Sequence, residues 1–178
     1  MACRVMEVLL RVLAILLSIA GALVMAKDKQ DTFVMLGTVP VPLYARHSYV
    51  EAFVFLVYAN GIVAIYCFIA VLLSLLAKSR VLAGLLFFMD QALAYLLLAA
   101  AAASTEVAYI AKRGEKKLVW GEVCSNFEHF CNLVGVSLVL TFLSVLVLVT
   151  LAILSGKRLF GHPPLCAPPS TPPVHQGV

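Results

Sequence analysis

The sequence predicts an all-α membrane protein, a bundle of four transmembrane helices. Three observations carry that expectation. Of its 178 residues, 63% are apolar and only 12% are charged, against roughly 25% charged in soluble domains. The mean hydropathy is +1.03. The apolar residues gather into four long runs separated by charged clusters, and four spans of about 20 residues each fit within the chain. This excludes a soluble monomer, a disordered chain, a collagen-like repeat and a disulfide-rich secreted knot, and leaves no room for a separate catalytic domain. The formal charge of +4 is spread over every loop, so no nucleic-acid footprint is present.

Residues 1–7 precede the first span, 8–26, which contains Arg11 and Ser18 and ends at Lys27-Asp28-Lys29. Val24-Met25-Ala26 has the small residues of a signal-cleavage site, but Glu7 and Arg11 interrupt the run, which also exceeds the usual length of about 7 to 15 residues. The segment is therefore expected to remain as a span. A first loop covers 27–51, the second span 52–77 and a tight turn 78–80. The third span covers 81–104, with its helix able to run on to about 111. A second loop at 112–132, the fourth span at 133–155 and a tail at 156–178 complete the chain. Six of the eight prolines lie in that tail, which reads as disordered or polyproline-like.

An even number of spans places both termini on one side. With cytosolic termini, the inner segments hold five Lys or Arg and the outer loops seven. By count alone, the positive-inside rule favours the reverse. Two observations point to cytosolic termini: the inner segments are almost purely basic, and the cysteines divide by compartment. Cys124 and Cys131 share the second loop, where an oxidising exterior sustains a disulfide, while Cys3 and Cys166 lie in the tails. A continuous helix would hold the loop pair about 10 Å apart, beyond bridging distance. The choice is between a bent, disulfide-linked loop and two unpaired thiols. Zinc is not expected, since no second pair of ligands lies nearby.

Arg11 and Asp90 are the ionisable residues inside spans, where a charge costs about 2.5 to 3.5 kcal/mol at the bilayer centre unless it is partnered. Spans one and three run in the same direction, which puts Arg11 about 5 Å and Asp90 about 14 Å past their starts. An Arg stem of roughly 6 to 7 Å pointing inward closes most of that gap. The alternatives are snorkelling for Arg11 and protonation for Asp90. Ala14, Ser18, Ala22 and Ala26 form a small-residue stripe suited to close helix approach, within the subunit or between subunits. In span two, Asn60-Gly61 marks another packing point, with Asn60 expected to hydrogen-bond a neighbouring helix.

Catalytic and cofactor chemistry is not expected. Haem in a bundle needs His on the helices, whereas His47, His129, His162 and His175 fall in loops or the tail. Cys124 and Cys131 lack the Cys-x-x-Cys spacing of thiol oxidoreductases. No phosphate loop, metalloprotease motif or hydrolase motif appears. One membrane Asp is enough to relay protons, so a small proton-linked transporter or channel subunit using Asp90 is the alternative reading. Against it stands the lack of an internal repeat or an interrupted span.

Several stretches together resemble a known family. They are Leu9-Leu10-Arg11-Val12-Leu13, Tyr58-Ala59-Asn60-Gly61-Ile62 with Tyr66, and Phe88-Met89-Asp90-Gln91-Ala92-Leu93-Ala94-Tyr95. With them go Ser104-Thr105-Glu106-Val107, the loop Trp120 to Phe127 with Phe130-Cys131, and Arg158-Leu159-Phe160. Taken in order over residues 6 to 160, they resemble the Casparian strip membrane protein-like (CASP-like) family of land plants, in particular its second subgroup, within the MARVEL-type four-span superfamily. The resemblance implies cytosolic termini and a role for Arg11 and Asp90 as paired structural charges. Founding members assemble plasma-membrane scaffolds that block lateral diffusion and organise local wall lignification. This chain departs from them at Thr32 to Arg46, which contains Val39-Pro40-Val41-Pro42. The resulting expectation is a non-catalytic multipass plasma-membrane scaffold that forms homo-oligomers, or hetero-oligomers with family members, in contact with lipid. Trp120, Phe127 and Phe130 are its candidate residues in the outer loop.

Overall fold

The computed structural model describes residues 2–36, 39–76, 80–114, 124 and 127–159. Helix α1 covers Ala2–Lys27, α2 Glu51–Leu76, α3 Arg80–Arg113 and α4 Glu128–Leu159. Each is long and apolar enough to cross a membrane, and the chain is an all-α four-span membrane protein. Lys78, Trp120 and the Pro-rich tail with Cys166 lie outside the described residues.

The helices run further than hydropathy alone suggests. Helix α3 has 34 residues, about 51 Å of helix against a hydrocarbon core of about 30 Å. It ends at Gly114, whose φ of 67° suits a left-handed cap, and whose N–H donates to the Ile110 carbonyl at 2.8 Å. Helix α4 starts at Glu128, not at 133 as expected, so Phe130 and Cys131 are helical. Backbone hydrogen bonding outlasts the apolar run because protein packing continues there: Val107, Ala108 and Phe130 pack against the core.

Helix α1 packs on α2 and α4, and α3 packs on α4 and α2. The helices therefore go round the bundle in chain order, and α1 faces α3 across one diagonal while α2 faces α4 across the other. The core holds Ala14, Leu56, Ala59, Val63, Leu97, Ala100, Leu148 and Leu151. Large side chains such as Leu16, Phe68, Leu76 and Leu146 point outward. Lipid tails solvate them as well as a core would, so helix association depends on close packing and polar contacts.

Between α1 and α2, where the sequence suggests only a loop, strands β1 (Lys29–Leu36) and β2 (Val39–Arg46) pair antiparallel. The register runs from Lys29 opposite Arg46 to Leu36 opposite Val39. Pro40 and Pro42 obscure this in the sequence, but each strand of a two-stranded sheet has a free edge where proline fits. The available signal is two β-forming runs flanking Gly37-Thr38. A short 3-10 turn, His47–Tyr49, leads into α2. The hairpin marks one face of the bundle. The described ends of α1 and α4 at Ala2 and Leu159 mark the opposite, terminal face.

Candidate functional site

The bundle interior is organised by polar links across both diagonals. Across the first, Arg11 of α1 meets Asp90 of α3 at two points. Nη1 donates to Oδ1 at 3.0 Å and Nη2 to Oδ2 at 2.9 Å. Both side chains are fully buried. Tyr66 of α2 donates its hydroxyl to Asp90 Oδ1 at 2.7 Å, with the Leu86 carbonyl also in reach at 3.1 Å. Its ring lies 6.0 Å from the Arg11 guanidinium. One helical turn before Arg11, Glu7 Oε1 lies 3.7 Å from Nη2. The two-pronged geometry is the strong form of a charge-assisted bond, and it answers the sequence-level alternatives: Arg11 turns inward rather than snorkelling. Glu7 and Tyr66 complete the cluster, and the sequence reading assigned neither to it. Glu7 was findable, since it stands four residues before Arg11 on the same helix face.

Across the second diagonal, Asn60 Nδ2 of α2 donates to Thr141 Oγ1 of α4 at 3.1 Å, as well as to the Leu56 carbonyl at 2.9 Å. Thr141 donates to the Ser137 carbonyl, and Ser137 Oγ donates to the Gly21 carbonyl of α1 at 2.8 Å. One further link, Ser18 Oγ to Ser144 Oγ at 2.8 Å, ties α1 to α4. Ser137, Thr141 and Ser144 occupy positions i, i+4 and i+7 of α4, a hydroxyl-bearing face that the sequence reading passed over.

The small-residue stripe needs correction. Ala14 and Ser18 are fully buried inside the subunit, whereas Ala22 and Ala26 are only half-buried. Steps of four residues rotate about 40° each on a helix of 3.6 residues per turn, so such a stripe drifts off any one face. The buried line is Arg11, Ala14, Ser18, Gly21 and Met25, in steps of three and four. At Gly21 a Cβ would lie 3.3 Å from Thr141 Oγ1, which makes glycine the close approach of α1 to α4. Gly61 is not such a point, because a Cβ there meets nothing within 4 Å.

On the hairpin face, Cys124 and Cys131 are joined by a disulfide with Cα atoms 5.8 Å apart. The link takes a bent form, with the Cys124 N–H donating to the Ala111 carbonyl at the end of α3. Cys67, inside the bundle, is unpaired and buried. Phe127 is buried, and Phe130 packs against Phe53 of α2 with ring centroids 6.3 Å apart. The Gln30 side chain of β1 accepts from the Phe130 N–H at 2.8 Å. Asp28, between α1 and β1, is 1% exposed, and among the described residues neither carboxyl oxygen has a hydrogen-bond partner. Burial pushes its carboxyl up to about 6, with the charge of His129 pulling the other way. Among the described residues no group of three or more His, Cys, Asp or Glu is placed to hold a metal.

Four apolar helices closed around a buried ion pair, with a hairpin and a bridged loop on one face, define a multi-pass membrane protein held together by intramembrane polar contacts. A family model for the Casparian strip membrane protein domain matches residues 1–147, and the chain belongs to that CASP-like family. It is 58% identical over 157 residues to CASP-like protein 2U1 of Osmunda lancea, covering 85% of this chain and 89% of the relative. Against CASP-like protein 2U2 of the same fern it is 48% identical, with 86% and 78% covered. Against CASP-like protein 2A2 of Picea sitchensis it is 34% identical, with 98% and 83% covered. The second-subgroup likeness drawn from the residues agrees with these names. No solved structure matches the chain.

Proposed function

We propose that this protein is a non-catalytic scaffold of the plasma membrane, with cytosolic termini, which self-associates into membrane domains and presents its hairpin face to the wall side. There it organises local wall modification or a diffusion barrier. The observation that supports this reading is the state of Asp90. Both of its oxygens are engaged, by Arg11 at two points and by Tyr66, all within 3.0 Å. A carboxylate held this way ties helices together, whereas a proton carrier must release its partners on each cycle. Family membership and the four spans are consistent with the reading. Crosslinking in native membranes tests it: a discrete ladder of oligomers is expected, with no solute-dependent flux in proteoliposomes. A monomer at every crosslinker concentration, or proton-coupled flux lost in Asp90→Asn, would overturn it.

A further inference from the structure

The bundle keeps most of its polar side chains inside. Ser18, Asn60, Ser137, Thr141 and Ser144 are buried with the ion pair, and Thr105 and Thr150 return their hydroxyls to carbonyls of their own helices. The pair formed by Gln91 and Tyr95 departs from this pattern. Gln91 Nε2 donates to Tyr95 Oη at 2.9 Å on the outer surface of α3, and Tyr95 is 62% exposed. Gln91 stands eleven residues beyond Arg80 and Tyr95 eleven short of Glu106. Each is thus about 16 Å of helix from the nearer flanking charge, at mid-membrane depth and beyond the reach of snorkelling. One hydrogen bond between them leaves the second amide N–H, the amide oxygen and the hydroxyl proton to be satisfied. Lipid tails offer no donor or acceptor, so these groups are costly to leave facing hydrocarbon.

We infer that this face of α3 docks against α3 of a second copy of the chain. This rests on the self-association proposed above and names its surface. All copies insert in the same orientation, so two α3 helices meet in parallel about a two-fold axis along the membrane normal, with Gln91 opposite Gln91 at the same depth. An amide carries both donors and an acceptor and is self-complementary, as an isologous contact requires. Around Tyr95 the exposed positions Ala92, Ala99 and Ala102 are small, flanked on the same face by the exposed Phe88 and Leu98. Small residues let the two backbones come close enough for the amides to bond.

The test uses the full chain in native membranes, with Cys3 and Cys166 replaced by serine. Oxidation of Ala92→Cys or Ala99→Cys is expected to yield a disulfide-linked dimer, whereas Leu16→Cys on α1 and Leu146→Cys on α4 yield none. In supported bilayers the double variant Gln91→Leu, Tyr95→Phe should weaken association about five-fold, the scale of an interhelical hydrogen bond in lipid. The thermal midpoint should hold, since both side chains point outward. If that variant fails to fold, the crosslinks alone decide. Dimers that form equally through α1 or α4, or association unchanged by the double variant, overturn the α3 surface and leave self-association standing. A parent protein that stays monomeric overturns both.

Discussion

Arg11 and Asp90, 79 residues apart in the chain, are joined by two hydrogen bonds of 3.0 and 2.9 Å across a diagonal of the bundle. Helices that pack as neighbours share apolar contact along their lengths as well as polar links such as that of Ser18 to Ser144. This diagonal pair is held by a polar bond in a medium where neither partner has water as an alternative. Asn60 and Thr141 do the same for α2 and α4. The two links lie on different helix pairs and constrain the bundle independently.

Removing one member of the ion pair leaves a buried charge without its counterion, which typically costs about 3 to 5 kcal/mol, whereas replacing both with apolar groups is far milder. Arg11→Gln and Asp90→Asn are each expected to lower yield and thermal midpoint in nanodiscs, and Arg11→Met with Asp90→Leu to recover part of the loss. Tyr66→Phe removes one bond to a charged acceptor and should cost about 1.5 to 3 kcal/mol. Additive losses in the double variant would contradict the pairing.

Gly21 and Gly61 should respond in opposite directions. A side chain at Gly21 runs into Thr141 and Ser137, so Gly21→Leu is expected to cost about 1 to 3 kcal/mol by overpacking, or more if α1 separates from α4. Gly61 faces open space within α2, so Gly61→Ala should stabilise the fold by up to about 1 kcal/mol in helix propensity and raise the midpoint. Thermal denaturation of the two purified variants, side by side, checks the contrast.

Asp28 makes stability depend on pH. Its folded-state value of about 6 lies above the value near ~3.9 of an unfolded aspartate, so the folded protein binds this proton more tightly than the unfolded chain. That contribution is complete below about pH 4 and is lost as pH rises through about 6. Asp28→Asn should therefore raise the thermal midpoint at neutral pH and leave it unchanged near pH 4. Equal midpoints at neutral pH would mean that the ionised carboxylate has found a partner.

The bridged loop gives a check on orientation. Peptide mapping without reductant should recover Cys124 linked to Cys131, and Cys131→Ser is expected to lower stability by about 2 kcal/mol, the entropy of closing a short loop. After reduction, an impermeant thiol reagent applied to intact cells should label this pair and spare Cys166. Labelling of Cys166 alone would reverse the assigned sidedness.

Four spans and the two charges that lie inside the membrane can be read directly from the amino-acid sequence. These follow from local quantities, the length of an apolar run and the cost of an ion within it, which hold whatever the neighbours are. It also marked Asn60 as a residue needing a partner, though not which helix would supply one. Helix packing is what makes Thr141 that partner, joins Tyr66 to Asp90, makes Gly21 rather than Gly61 the close approach, and turns Ala14 and Ser18 inward while Ala22 turns aside. Each depends on how a helix is rotated about its axis against another. In lipid the apolar pattern barely specifies that rotation, because a leucine is equally well placed facing a tail or a core. The hairpin was hidden for a different reason: its pairing depends on a free edge for Pro40 and Pro42, a property of the sheet and not of the residues.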